Sequence, residues 1–210
     1  MREVNKMNLY KELEKLPTAC ISDASGGLNN MDIKIKPLEE SYKVCGPALT
    51  VKLAPNDNKA VLWAIRDAKP GEVLVVDTKE TSYNTIAGDF VVGMAQKMEL
   101  AGIVTNGTIR DIQGIKELKY PVFCIGTTIA AGGKGGKGEI RVPISCGGVT
   151  IQPGDWIIGD ADGVTVVPKE KLEETILVAK EKEKVDIDRA RKILTSKEEI
   201  CKYLDLMFDD

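Results

Sequence analysis

Apolar positions recur along this chain with two different periods. Residues Ala48–Leu53 alternate apolar and polar side chains, which predicts a half-buried strand. Glu72–Val76 reads EVLVV, a β-branched run of the fully buried strand type. Ile103–Thr105 and Pro121–Ile125 are shorter runs of the same kind. Between them the apolar spacing becomes helical. Leu9–Leu16 carries a short helical period that ends before Pro17. Within Ala19–Leu28, Ser22 and Asp23 are candidate capping side chains ahead of Gly26 and Gly27. Asn58 is placed to cap a helix over Lys59–Ala68, stopped by Pro70 and Gly71. Gly88-Asp89 opens a helix that runs through Ala101, with Gly102 as its stop. Gly107 marks a turn, and Asp111–Leu118 is helical.

Strand and helix therefore alternate through the middle of the chain, as in βαβ units. From residue 126 the texture changes. Gly126–Glu139 reads as a glycine-rich surface loop. Strands are expected at Val149–Ile151, Trp156–Ile158 and Val164–Val167, separated by the turn signals Pro153-Gly154-Asp155 and Asp162-Gly163. Lys169–Leu194 is one long charged helix, and Lys197–Met207 a terminal one. The pattern predicts a single α/β domain over residues 1–210, with a core of about 17–168 and a helical tail of 169–210.

Composition narrows the chemistry. The chain has no histidine. That removes the commonest general base and the commonest transition-metal ligand, so Ser-His-Asp and Cys-His catalysis within one chain are excluded. Acid–base work falls to carboxylates, Lys, Tyr, Cys or a metal-associated water. With 29 Lys and Arg against 32 Asp and Glu, the net charge is −3. The lysines of 169–192 alternate with acids and read as a solvated helix face, so nucleic acid is not an expected partner. The 5 cysteines form no C-x-x-C pair, and each is expected to be a small buried hydrophobe in a reducing compartment. No run has the length and apolarity of a signal peptide or membrane span, so a cytoplasmic protein without membrane partners is expected.

Five segments could carry chemistry. Gly88-Asp89, at a helix start, is either an anion site or an ordinary cap. Asn106–Asp111 follows a strand, and its Arg110-Asp111 pair offers a planar cation beside a hard oxygen ligand. The plain alternative is a surface ion pair with a capping Asp. Thr127–Glu139 could present backbone N–H groups to an anion, with Lys134 and Lys137 adding charge, but it lacks the Ser or Thr of a Walker A loop. Asp160-Ala161-Asp162-Gly163 suits a β-turn better than a calcium loop. Thr18–Gly27 lines a pocket or caps a helix.

Together these segments resemble the RraA-like family, which includes class II 4-hydroxy-4-methyl-2-oxoglutarate aldolases, regulators of ribonuclease activity A and proteins named demethylmenaquinone methyltransferases. The resemblance rests on TACISDA at Thr18–Ala24, GPALTV at Gly46–Val51 and KPGEVLVVD at Lys69–Asp77. It continues through AGDFVVGMAQKMELAGIVTNGTIRD at Ala87–Asp111, YPVFCIGTT at Tyr120–Thr128 and GEIRVPISCGGVTIQPGDWIIGDADGVTVVP at Gly138–Pro168. It implies a swivelling β/β/α fold, assembled as a homotrimer or homohexamer with sites between subunits. It implies that Gly88, Asp89, Phe90 and Val91 bind a pyruvate carboxylate, and that Arg110 contacts substrate. It implies that Asp111, with Asp89, holds Mg²⁺ or Mn²⁺. A further acid from a neighbour's C-terminal helix would be Asp186, or else Glu183. One position departs from the aldolases, which usually carry an acid three residues after the Asp of the Arg-Asp pair; this chain has Gly114.

The expected activity is therefore metal-dependent cleavage of 4-hydroxy-2-oxo acids to pyruvate, with Arg110 and Asp89 catalytic and oxaloacetate decarboxylation as a side reaction. A lysine Schiff-base aldolase is a competing enzymatic reading. A non-catalytic regulator that docks on a ribonuclease is the alternative from a different class. A methyltransferase is discounted, because no glycine-rich strand–turn–helix with a following acid is present.

Overall fold

The computed structural model describes residues 10–79 and 83–208. Its main sheet has eight strands. β2 (Val44–Lys52), β3 (Val73–Asp77), β5 (Gly102–Thr105) and β7 (Val122–Cys124) run parallel in the order β7-β5-β3-β2. Antiparallel strands finish the edges. β1 (Lys36–Pro37) pairs with β7, while β10 (Glu139–Ile140) and β13 (Trp156–Asp160) share the far side of β2. β14 (Gly163–Val167) returns along β13 through the expected turn, Asp160 facing Gly163. β3 is buried along its whole length, as EVLVV predicts.

A second sheet is built from the continuations of the first. Past the ends of β3, β5 and β7 the chain enters β4 (Asn84–Ala87), β6 (Thr108–Ile109) and β8 (Gly126–Thr127). These pair in parallel with β9 (Ala130–Ala131) in the order β8-β6-β4-β9. The edge strands β8 and β9 are joined by only Thr128 and Ile129, so this small sheet curls almost into a closed barrel. The sequence pattern shows none of it. Two-residue strands are too short to display a period, and Gly107 reads as a turn because it sits at the bend between β5 and β6.

Six α-helices lie wholly within the described residues. On one face of the main sheet, α2 (Lys59–Arg66), α3 (Asp89–Lys97) and α4 (Ile112–Glu117) bury Ala60, Val61, Ala64, Ile65, Val92, Ala95 and Ile115. The hairpin β11 (Ile144–Cys146) and β12 (Val149–Ile151) covers the other face, together with Met31 and Ile35. α1 (Thr18–Ala24) and the first turns of α5 (Leu172–Ile193) form a third cluster against β13 and β14. There α5 buries Leu172, Thr175, Ile176 and Ala179, one helical stripe, and the rest of it is the solvated charged face expected. α6 (Lys197–Phe208) buries no residue, so Cys201 is exposed, unlike the buried hydrophobe expected. Among the described residues no helix is long and apolar enough to cross a membrane.

Several expected boundaries move for physical reasons. α3 stops at Lys97, where Glu99 turns left-handed, and Gly102 opens β5 instead of ending the helix. Lys169–Lys171 forms a 3₁₀ turn ahead of α5. Residues 10–13 are helical, but Leu9 lies outside the described residues. Asn58 is the N-cap of α2 by position, yet the capping oxygen is that of Asp57, which accepts the Lys59 N–H at 2.8 Å. Ser22 and Asp23 sit inside α1, and the carboxylate that receives its first N–H, Thr18 at 3.0 Å, is Asp160.

One ion pair straps the loop after β10 to the start of β3. Arg141 donates to Glu72 from Nη1 at 2.7 Å and Nη2 at 3.0 Å, and to the Asp67 carboxylate and carbonyl. Glu72 is buried. Burial alone would raise its pKa, but the Arg141 and Lys69 hydrogen bonds bring it below the ordinary value. A depressed carboxylate pKa contributes stability above the unfolded pKa, and that stability is lost as pH falls through the folded one. Glu72→Gln is expected to cost about 2–4 kcal/mol at neutral pH, by analogy with other broken buried pairs. Urea unfolding from pH 7 downward checks it: the wild-type advantage must shrink on acidification.

Candidate active site

The last residues of β4 and β6, Ala87 and Ile109, lie side by side. The chain leaving each strand therefore brings Gly88-Asp89 next to Arg110-Asp111. The Arg110 N–H donates to the Ala87 carbonyl at 3.1 Å, prolonging the ladder by one step. The Thr85 hydroxyl donates to the same carbonyl at 2.7 Å. These bonds fix two helix starts at one end of the small barrel, at the carboxyl ends of its parallel strands. Open α/β sheets place ligands at such ends.

Each helix start rests on a glycine of the other. Asp111 is the N-cap of α4 in the left-handed region, φ 58° and ψ 41°, a conformation that short polar side chains tolerate best. Its Oδ2 lies against Gly88, so close that a Cβ there would overlap it. The same oxygen pairs with Arg110 Nε at 3.2 Å. Asp89, the first residue of α3, packs over Gly114 of α4. A Cβ at 114 would stand 2.6 Å from Asp89 Oδ2 and 2.9 Å from Asp89 Cβ. The glycine that departs from the aldolase pattern is thus the seat of a neighbouring carboxylate.

Asp89 is also an internal ligand. Its Oδ1 accepts the Phe90 N–H at 2.6 Å, at the positive end of α3. Gly88 is extended, φ −116° and ψ −174°, and supplies no side-chain cap. Arg110 and Asp111 keep 42 % and 44 % of their side-chain surface exposed, so the pair faces solvent. Phe90 is exposed beside it, and Val91 is half-buried.

The structure brings Gly88, Asp89, Phe90, Val91, Arg110 and Asp111 together. It does not bring Asp186 to them within the chain. Asp186 accepts from Arg189 at 2.7 Å on α5. It and Glu183 also lie near Cys20 of α1, whose thiol is raised by burial first and by these charges next. Among the described residues no three His, Cys, Asp or Glu side chains cluster as a metal cage. Asp89 and Asp111 are oxygen donors of the type Mg²⁺ accepts from one or two carboxylates while retaining water, so the donor set fits a hard cation of that kind.

The remaining candidates resolve differently. The glycine-rich segment does present N–H groups to an anion, but the anion is the chain's own Asp57. Its Oδ2 accepts the Gly136 N–H at 2.8 Å, and Gly133 exchanges backbone bonds with Asn56 and Asn58. Burial opposes ionisation of Asp57, yet the N–H groups of Gly136, Lys59 and Gly135 hold its pKa below the ordinary value. The segment lies at the surface as expected, with none of its residues buried, but it is a docked strap that includes β8 and β9 instead of a free loop. Asp160–Gly163 is the hairpin turn expected. Sequence reasoning missed Asp57 as the occupant, although Asp57-Asn58 directly before an amphipathic helix is an Asx-turn signal.

A profile of the RraA-like family, described as Aldolase/RraA, matches residues 18–166. The chain belongs to the RraA-like family. A Halalkalibacterium halodurans protein provisionally named 4-hydroxy-4-methyl-2-oxoglutarate aldolase is 50% identical over 202 residues, 96% of each chain. Among solved structures, an uncharacterized protein from Pseudomonas syringae superposes with a TM-score of 0.79 at 29% identity, covering 90% of this chain and 87% of that one. Streptomyces coelicolor RraAS2, described as an unusual member of the RNase ES inhibitor RraA family, gives 0.76 at 30% identity, covering 87% and 95%. The RraA-like segment takes in the whole cluster around Gly88 and Asp111 and leaves out Asp186.

The seating of Asp89 on Gly114 yields a test with a change of sign. Gly114→Ala is expected to destabilise by about 1–3 kcal/mol through overpacking. In an Asp89→Gly background, which removes the Cβ as well as the carboxylate, the same substitution should stabilise by up to ~1 kcal/mol, because Ala is the better helix former. Urea midpoints of the four proteins measure the coupling.

Proposed function

We propose that this chain is a divalent-metal-dependent lyase that cleaves 4-hydroxy-2-oxo acids of the 4-hydroxy-4-methyl-2-oxoglutarate type to pyruvate, and decarboxylates oxaloacetate as a side reaction. The observation that carries the reading is the reciprocal seating of two helix starts. It gathers one guanidinium, two carboxylates and the N-terminus of α3 on a half-exposed surface. The aldolase name of the 50% identical relative supports the class of reaction.

The N–H groups of Phe90 and Val91 and the dipole of α3 bind the substrate carboxylate, displacing Asp89. Arg110 places a fixed positive charge beside the 2-oxo oxygen, where negative charge grows as the C3–C4 bond breaks. Asp89, freed from its own helix, accepts the proton of the 4-hydroxyl and returns one to C3 of the pyruvate enolate. Asp111 and Asp89 would hold the cation, which when bound supplies Lewis acidity toward the 2-oxo acid. The acid that Asp186 would contribute belongs to a neighbouring copy in a homotrimer or homohexamer. The chemistry requires no histidine, and among the described residues the cluster contains no lysine for a Schiff base.

Arg110→Ala and Asp111→Ala are each expected to lower pyruvate release by at least ~10²-fold while leaving the circular dichroism unchanged. Lactate dehydrogenase coupling with Mg²⁺ reads the rate on 4-hydroxy-4-methyl-2-oxoglutarate and on oxaloacetate. Excess EDTA should abolish it. No pyruvate from either substrate, with the wild type retaining its fold, favours the non-catalytic reading, a regulator that binds a ribonuclease, in line with the RNase ES inhibitor family named for the Streptomyces relative.

A further inference from the structure

A large cavity lies away from this cluster, at the bend between the two sheets. It measures about 510 Å³ and opens beyond the carboxyl ends of β3, β5 and β7, on the face covered by the β11–β12 hairpin. Its walls carry four formal charges, Asp32, Lys34, Asp77 and Lys79, with Asn106 and Ser145 between them. None of the four forms an ion pair among the described residues. Opposite charges that share a cavity yet do not meet are set to receive a ligand bearing both signs.

Asp77 is the built part of this site. It is 7% exposed. Its Oδ1 accepts the Lys79 N–H at 2.8 Å and Asn106 Nδ2 at 3.2 Å. Asn106 is itself held, its Oδ1 accepting the Thr78 N–H at 2.9 Å. Asp77 Oδ2 has no hydrogen-bond partner among the described residues and is not one of the fully buried atoms, so it opens onto the cavity and needs a donor from there. An ammonium group answers that need. A simple cation would be repelled by Lys34 and Lys79, and a simple anion by Asp32 and Asp77, whereas a zwitterion satisfies both pairs.

We infer that this cavity is a second ligand site and that it takes an α-amino acid, its ammonium toward Asp77 and its carboxylate toward Lys34 and Lys79. The site does not depend on the lyase reading; a chain without lyase activity would still bind. Isothermal titration with the twenty common L-α-amino acids tests it, each alongside its 2-oxo acid and its decarboxylated amine. At least one amino acid is expected to bind, with both analogues at least tenfold weaker. Asp77→Asn and the double variant Lys34→Met/Lys79→Met should each weaken binding at least tenfold, while Arg110→Ala leaves it unchanged. Should Asp77→Asn fail to fold, Ser145→Trp, at an exposed position, fills the cavity and should abolish binding with an unaltered circular dichroism spectrum. Absence of binding by every amino acid, equal binding of a 2-oxo acid, loss in Arg110→Ala or persistence in Ser145→Trp each overturns the inference.

Discussion

Everything in this molecule depends on carrying three parallel strands through a bend without orphaning their main-chain groups. β5 and β7 pass directly into β6 and β8, and β3 leads on to β4. At such a break the regular ladder stops, and a buried amide or carbonyl left unpaired costs free energy. Short polar side chains close the gap. The Thr105 hydroxyl donates to the Val76 carbonyl at 3.0 Å and accepts the Gly107 N–H at 2.9 Å. Asn106 bridges Thr78 and Asp77 across the neighbouring strand. Because the bend is satisfied internally, the second sheet can aim its strand ends at one place, and Gly88-Asp89 and Arg110-Asp111 become neighbours.

A second habit of this chain is to neutralise helix starts and exposed N–H groups with its own carboxylates. Asp160 receives the first amide of α1, Asp57 receives those of α2 and the glycine-rich strap, and Asp89 receives its neighbour's on α3. The first two are tied to other parts of the fold and hold it together. Asp89 differs: it is exposed, and its hydrogen bond closes a ring within two adjacent residues.

The long-period features were legible in the sequence. β3, α2, the β13–β14 hairpin and the charged face of α5 follow from apolar spacing and turn residues, because each is long enough to repeat its pattern. The small barrel was not legible, since β6, β8 and β9 span two residues apiece and their identity comes from pairing, not from composition. The site was half legible. Arg110-Asp111 and Gly88-Asp89 stand out as helix-start and ion-pair signals, but nothing in one dimension shows that Asp111 packs on Gly88 and Asp89 on Gly114. Gly114 reads as a missing acid in sequence and as an occupied seat in space. Asp186, paired with Arg189 on α5, carries no signal that ties it to this cluster.

The tethering of Asp89 to its own helix sets a threshold for what can bind there. A resident carboxylate held one bond network away acts at an effective concentration far above that of any free anion. Small monovalent ions such as chloride or acetate, offering no second point of attachment, lose that competition. On the proposed function, a 2-oxo acid would win it only by engaging Arg110 in the same step, so admission to the helix end would be decided by chelating ability instead of by charge.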